Sequence, residues 1–471
     1  MDSAASEANG RCICQISGRE LTTCRAFCVS ESSHSVVVDT NRVYSIFPRL
    51  VYYITIPAHR NAALLEAPTA NNRWPVMFFS HGLAGSRNMY SHICGSLASH
   101  GIVVVAMDHR DGSSPAQYVR ATKTTEAKII GPDQLPHTPS QEVYQGRDKQ
   151  LRIRMWEIAL AHRALLRIDK GWKLDNLDMN TALSKKERVE VLSIFEKSLD
   201  IHIPGRIVWA GHSFGAATMH QLVKTVFYND NRPASASKPL FVPSANSAIA
   251  KQITTASPLA MLDLWGLPLH SPDQEWLWKK PLPCYSTKSP GGKALVGVLS
   301  EGFHKWTGNL NNVKCAFSPP ATYNGPEPGL FYPVASQHFS QSDFGILFPW
   351  LTERFMHAAE PERVLKLNMR AVLQMMRNCG HDVAATSAAD MDLPADKKLT
   401  AKEEQAGDEQ ILSKVSSVRG WTSIPLAKGM REPKLTTKDE KESAPPEFRA
   451  PEDFRVAMDA QMEAQTASAS A

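Results

Sequence analysis

No stretch of this chain stays apolar over the roughly 20 residues that a membrane-spanning helix needs. The most apolar window, Phe344-Gly-Ile-Leu-Phe-Pro-Trp-Leu351, is far shorter and contains a proline. The start, MDSAASEANG, lacks the basic-then-apolar plan of a secretory signal, so a cytoplasmic location is expected. A strong charge of either sign is also missing: 52 Lys plus Arg stand against 47 Asp plus Glu, a net of +5. No basic block lies near aromatics, which argues against nucleic acid as a partner. Cysteine is sparse, with eight in 471 residues. Cys12, Cys14, Cys24 and Cys28 cluster, but their spacing is not a familiar zinc-ligand set and reads as a reduced leader. The other four are scattered like ordinary small apolar residues.

What is present is enough apolar material, 43% of the chain, to bury a large core. The ends differ from the middle. From about Asp390 the chain is rich in Lys, Glu, Ser, Thr, Ala and Pro, with Trp421, Phe448 and Phe454 its only aromatics. The expected plan is a poorly ordered leader over 1–42, one catalytic domain over 43–383, and a disordered charged tail over 384–471. Inside the domain, strand-like and helix-like runs alternate. Pro75–Phe79 and Ile102–Met107 read as strands, the second as one covered on both faces because it has no polar alternation. Gln150–Ile168 and Lys185–Leu199 read as helices, and Ile207–Ala210 as a strand running into another helix. Leu259–Leu264, Pro281–Tyr285 and the run from Phe331 to Gln337 are further strand candidates, and Arg363–Met376 closes the domain as a helix. This alternation predicts an α/β fold, a mostly parallel sheet with helices on both faces.

Within that frame Gly211-His-Ser-Phe-Gly215 is an instance of G-x-S-x-G, with an apolar strand before it and a helix after it. A serine there sits on a strained turn that lifts its hydroxyl off the sheet, and the flanking glycines let neighbouring backbone pass. The following helix aims its partial positive charge at the oxygen that becomes anionic during attack. Ser213 is therefore the candidate nucleophile, and the bland alternative is a plain tight turn.

A serine hydroxyl needs a base, and the base an orienting acid, in the chain order Ser, acid, His. Asp230 and Asp273 lie in polar, turn-like segments. Asp263 follows the apolar run Leu259–Leu262 and precedes Leu264-Trp265, where a lone carboxylate is costly without a partner, whether histidine or arginine. Of His270, His304, His338, His357 and His381, His357 falls on a predicted helix and His381 just past the last one. His338 follows a predicted final strand, in a loop at the strand's C-terminal end where such sheets place catalytic groups; chain order alone does not separate it from His304. A second element, Ser80-His-Gly-Leu-Ala-Gly85, follows the strand Pro75–Phe79 and could supply half of an oxyanion hole. The expected donors are the N–H groups of Leu83 and Phe214. Trp265, Trp276, Leu277, Trp278, Lys279 and Lys280 mix aromatics with cations, as residues in transient contact with a membrane surface do, although a buried aromatic cluster is the commoner cause.

The segment FFSHGLAGSRNMYSHICGSLASHGIVVVAMDHRDGSS, then GHSFGAAT, LDLWGLPL and His338-Phe-Ser-Gln-Ser-Asp-Phe344, together resemble the platelet-activating-factor acetylhydrolases of the plasma and intracellular type II kind, the group VII phospholipases A2. The resemblance runs from about residue 44 to 382. It implies the α/β-hydrolase fold, with Ser213 as nucleophile, Asp263 as acid, His338 rather than His304 as base, and Leu83 and Phe214 as oxyanion donors. It also implies a phospholipid substrate cut at a short, acetyl or oxidised sn-2 acyl ester, with no cofactor, no metal and no calcium. Two departures stand out: Ala216 replaces a further glycine of the animal enzymes, and the span between Tyr52-Tyr53 and the strand Pro75–Phe79 is much shorter than theirs. The competing expectations are a carboxylesterase or thioesterase acting on soluble esters, and a non-catalytic scaffold that keeps the hydrolase fold.

Overall fold

The computed structural model describes residues 58–121, 124–177, 183–236, 238–391, 407–415 and 417–430. The leader, the Cys12/Cys14/Cys24/Cys28 cluster and the rest of the tail lie outside them. The chain divides into two compact units. In the smaller one, residues 58–73 belong with 167–177 and 183–199. Arg73 Nη1 donates to both Asp169 carboxylate oxygens at 3.2 and 3.0 Å and to the Leu199 carbonyl at 2.8 Å. Its helix Lys185–Val191 starts on a capping box in which Ser184 and Glu187 satisfy each other's backbone N–H. That helix is shorter than the predicted one and passes into a 3₁₀ turn over Leu192–Phe195.

The larger unit carries the sheet. Its strands are β1 (Trp74–Ser80), β2 (Val103–Ala106), β6 (Val208–His212), β7 (Leu259–Leu262), β8 (Leu295–Val298), β9 (Gly329–Pro333) and β10 (Trp421–Ser423), in the spatial order β10-β9-β8-β7-β6-β1-β2. All neighbours are parallel except β10, which runs antiparallel to β9. A separate ribbon pairs β3 (Gln117–Val119) with β4 (Lys128–Ile130); β5 (Leu199–Asp200) is a two-residue strand. This is the parallel α/β-hydrolase sheet that the sequence predicted.

Alternation along the strands sends side chains to two covered faces. Met77, Phe79, Val208, Ala210, Ala260 and Leu262 pack with Leu365, Leu373 and Met376 of the helix Pro361–Asn378. On the other face Phe78 stacks on Trp209 at 5.3 Å, and His162 of the long helix Gln141–Asp169 meets Phe78 edge-on. Each such buried apolar side chain contributes about 1.5–3 kcal/mol, which is why the central strands carry no polar alternation.

Several expectations are corrected. The β2 residues are only half-buried, and among the described residues β2 is the sheet's outer strand, with β1 as its one strand neighbour. Pro281–Tyr285 is not a strand; Pro283–Ser286 forms a 3₁₀ turn, and the strand is β8, whose LVGV run was not singled out. The tail is not without structure throughout. Trp421, 4% exposed, stacks on Phe331 at 5.3 Å and donates from Nε1 to the Ile411 carbonyl, so β10 extends the sheet. A three-residue strand among polar residues carries no period of its own, and its neighbours create it.

Candidate active site

The turn at Ser213 follows from close packing. Ser213 has φ 57° and ψ −118°, a strained conformation held between β6 and the helix Phe214–Phe227. A Cβ on Gly211 would lie 2.5 Å from the Gly215 carbonyl, and one on Gly215 would lie 1.9 Å from the Ser80 carbonyl oxygen. Only glycines let the helix start this near the end of β1. The Ser213 N–H donates to the Leu262 carbonyl at 2.8 Å, fixing the turn to β7.

Asp263 follows β7 directly with φ 43° and donates its N–H to the Val298 carbonyl at 2.7 Å. Its Oδ1 accepts the Ser300 N–H, and its Oδ2 lies 3.0 Å from His338 Nδ1. Burial pushes the carboxyl well above its usual range, opposed by the Ser300 N–H. His338 opens a 3₁₀ turn just after β9. Its ring lies flat on Phe303 at 4.3 Å and against His212 at 4.4 Å. This enclosure strips water from the ring and pushes its pKa down to about 3, so the imidazole stands neutral. Asp263 and His338 thus meet beyond the C-terminal ends of β7 and β9, and Ser213, which follows β6, is next in the chain to the histidine that packs on His338.

The loop after β1 lies against the serine: a Cβ on Gly82 would come within 3.0 Å of Ser213 Cβ. Gly82 N–H donates to Tyr90 Oη at 3.1 Å, Ala84 N–H to the Ser113 carbonyl at 2.7 Å, and Gly85 N–H to the Gly82 carbonyl at 3.3 Å. Leu83 N–H makes no such bond among the described residues. Phe214 opens its helix, where a backbone N–H has no intrahelical acceptor. The two expected oxyanion donors are thus among the backbone N–H groups without a backbone acceptor in the described residues.

The competing candidates are elsewhere. His304 stacks on Tyr332 at 4.1 Å, His270 packs on Trp278 at 3.9 Å, and His357 is exposed. Asp230 is exposed, and Asp273 pairs with Lys238 at 3.2 Å. In the aromatic-cationic run Trp265, Leu277 and Trp278 are buried and Trp276 is half-buried, the arrangement of a buried aromatic cluster, while Lys279 is exposed. No described helix is long and apolar enough to cross a membrane.

Sequence reasoning missed His212 and Tyr90. His212 occupies a variable position of G-x-S-x-G, and its Nδ1 lies 2.9 Å from Tyr90 Oη, linking the serine turn to the oxyanion loop. Nothing in the local pattern marks either residue. Among the described residues, His212, Asp263 and His338 also bring three donor atoms within 4.8 Å of one another, the spacing of a cation site. Two of those side chains are already joined by the Asp263–His338 bond, and a hydroxyl engages the third.

Fold and site define a carboxylic ester hydrolase on an α/β-hydrolase sheet. Residues 33–282 match the family described as platelet-activating factor acetylhydrolase, isoform II, and the chain belongs to that family. The match ends before His338. A Schizosaccharomyces pombe protein named "Putative phospholipase A2" is 28% identical over 339 residues, 69% of this chain and 72% of that one. The platelet-activating factor acetylhydrolases of Canis lupus familiaris and Bos taurus are 35% and 36% identical over 172 residues, 36% of this chain and 35% of theirs. The chain thus spans about a third of the length of these two mammalian relatives. A ferulic acid esterase from Streptomyces cinnamoneus superposes with a TM-score of 0.34 and 16% identity, covering 75% of this chain and 78% of that one; so slight a likeness carries no argument.

Proposed function

We propose that the protein hydrolyses the sn-2 acetyl, or short or oxidised acyl, ester of glycerophospholipids, with 1-alkyl-2-acetylglycerophosphocholine as the reference substrate. The observation that carries this reading is the 3.0 Å contact between Asp263 and His338 beside the strained Ser213 turn. Ser213 Oγ attacks the ester carbonyl, and neutral His338 takes its proton at Nε2. Asp263 holds the Nδ1–H and stabilises the imidazolium that forms. The carbonyl oxygen, now anionic, accepts the Leu83 and Phe214 N–H groups. His338 returns the proton to the leaving lysophospholipid oxygen, and water then cleaves the acyl-serine by the same steps in reverse. The reading needs no cofactor and no calcium, because backbone N–H groups carry the charge. The names of the dog, cattle and fission-yeast relatives support a phospholipid substrate.

A fluorophosphonate probe should label Ser213, and Ser213→Ala should lose both labelling and ester hydrolysis at an unchanged melting temperature. Activity near wild type in the folded variant would overturn the assignment. Preference for 2-acetyl over long-chain phosphatidylcholine tests the substrate. Turnover of p-nitrophenyl acetate without any activity on 2-acetyl phospholipids would favour a soluble-ester carboxylesterase. A wild-type chain that takes no label and turns over neither would be a scaffold.

A further inference from the structure

The long helix Gln141–Asp169 carries a fully buried guanidinium, Arg154, outside the triad. Its Nε donates to Asp111 Oδ2 at 2.6 Å and its Nη2 to Ser113 Oγ at 2.6 Å. Its Nη1 donates to the His81 carbonyl at 2.8 Å and lies within 3.3 Å of Ser80 Oγ and 3.4 Å of Thr218 Oγ1. The guanidinium carbon lies over the Phe214 ring, 4.3 Å from its centroid.

These partners form a pattern. His81 and Ser80 lead into the loop that holds Leu83. Ser113 is the residue whose carbonyl accepts the Ala84 N–H, just beyond Leu83. Phe214 bears the other donor, and Thr218 Oγ1 donates to the Phe214 carbonyl at 2.8 Å. One planar cation therefore touches both halves of the oxyanion hole and the segment that pins the far side of its loop. Asp111 opposes the charge inside the core, as a buried cation requires.

We propose that Arg154 is the positioning residue of the oxyanion hole, holding the Leu83 and Phe214 N–H groups at the spacing a tetrahedral intermediate needs. The proposal rests on the reading of Ser213, Leu83 and Phe214 given above. The role demands arginine rather than lysine. Contacts from three nitrogens to five oxygens, with the charge over an aromatic ring, match a guanidinium fork; a lysine ammonium offers three donors on one nitrogen.

The test uses the full chain, p-nitrophenyl acetate, and a trifluoromethyl ketone whose hemiketal with Ser213 mimics the oxyanion. Arg154→Lys should lower kcat by about 100-fold with KM within threefold, and weaken the ketone by the same factor, since misaligned donors are lost mainly from the transition state. Its fluorophosphonate labelling should slow in parallel. Ser113→Ala, which removes the Nη2 acceptor together with the Ser113 Oγ bond to Asp111, should show the same split at about tenfold. A purely structural arginine would lower the melting temperature and leave kcat and the ketone affinity of the folded fraction unchanged, and that result overturns the proposal. If Arg154→Lys does not fold, Ser113→Ala decides, and unchanged kcat there overturns it. Failure of the wild-type chain to be labelled at Ser213 would instead remove the underlying reading, whatever Arg154 does.

Discussion

Replacing Asp263 with asparagine exchanges one oxygen for an amide nitrogen and keeps the shape of the site. The Ser300 N–H already needs an acceptor at Oδ1, so the amide must keep its oxygen there. Its NH₂ then faces His338 Nδ1, the atom now 3.0 Å from Oδ2. An amide NH₂ only donates, so Nδ1 must be bare and the ring proton must move to Nε2. That tautomer has no lone pair to offer Ser213. The expected loss in kcat is about 10³–10⁴, or ~4–5 kcal/mol of barrier. Stability should barely change, by about 1 kcal/mol or less, because the amide keeps the Ser300 contact and removes a buried charge. The assay is steady-state hydrolysis of p-nitrophenyl acetate beside a thermal melt of the same preparation, with fluorophosphonate labelling slowing in step. A folded Asp263→Asn enzyme within tenfold of wild type would refute the claim that this pair sets the tautomer of the base.

Four further outcomes follow from the packing. Because burial drives the His338 pKa down to about 3, the neutral base persists in acid. Initial-rate kcat/KM for an uncharged ester should hold down to about pH 5 and fall only below about pH 4, whereas an acid limb near 6.5 would show the ring is not enclosed during turnover. The same burial lowers His81, His162 and His270 to about 4, so the unfolded chain binds protons that the folded chain refuses. Stability should therefore be lost as pH falls below the ordinary histidine value, and a melting temperature flat between about pH 7 and 5 would contradict this. Trp421→Ala should cost about 3–5 kcal/mol in denaturant unfolding, and a loss under about 1 would show that β10 is not part of the cooperative fold. Gly215→Ala places a Cβ 1.9 Å from the Ser80 carbonyl oxygen; it should yield insoluble protein or an enzyme that labels at least about 100-fold more slowly, and normal stability with normal labelling would contradict the close approach.

The sequence alone determined the strand-turn-helix at Ser213, because an apolar β-branched run, two glycines and an apolar helix leave that local geometry little choice. It marked β1, β6 and β7 as well, whose runs are apolar throughout, but not the equally buried β8. It narrowed the acid to Asp263 by the cost of a carboxylate in an apolar run, and left His338 and His304 unresolved until the family likeness separated them. Only tertiary structure decided the rest. Phe303 and His212 enclose the His338 ring from positions 35 and 126 residues distant in the chain, and neither carries a local signature. β8 and β10 are strands because of what they pair with. The tryptophans at 265 and 278 turn inward for the same reason. Local pattern reports what a segment can do with its own period and composition. Which distant surfaces meet, and so which nitrogen is dry, is fixed only once the sheet has brought the C-terminal ends of its strands together.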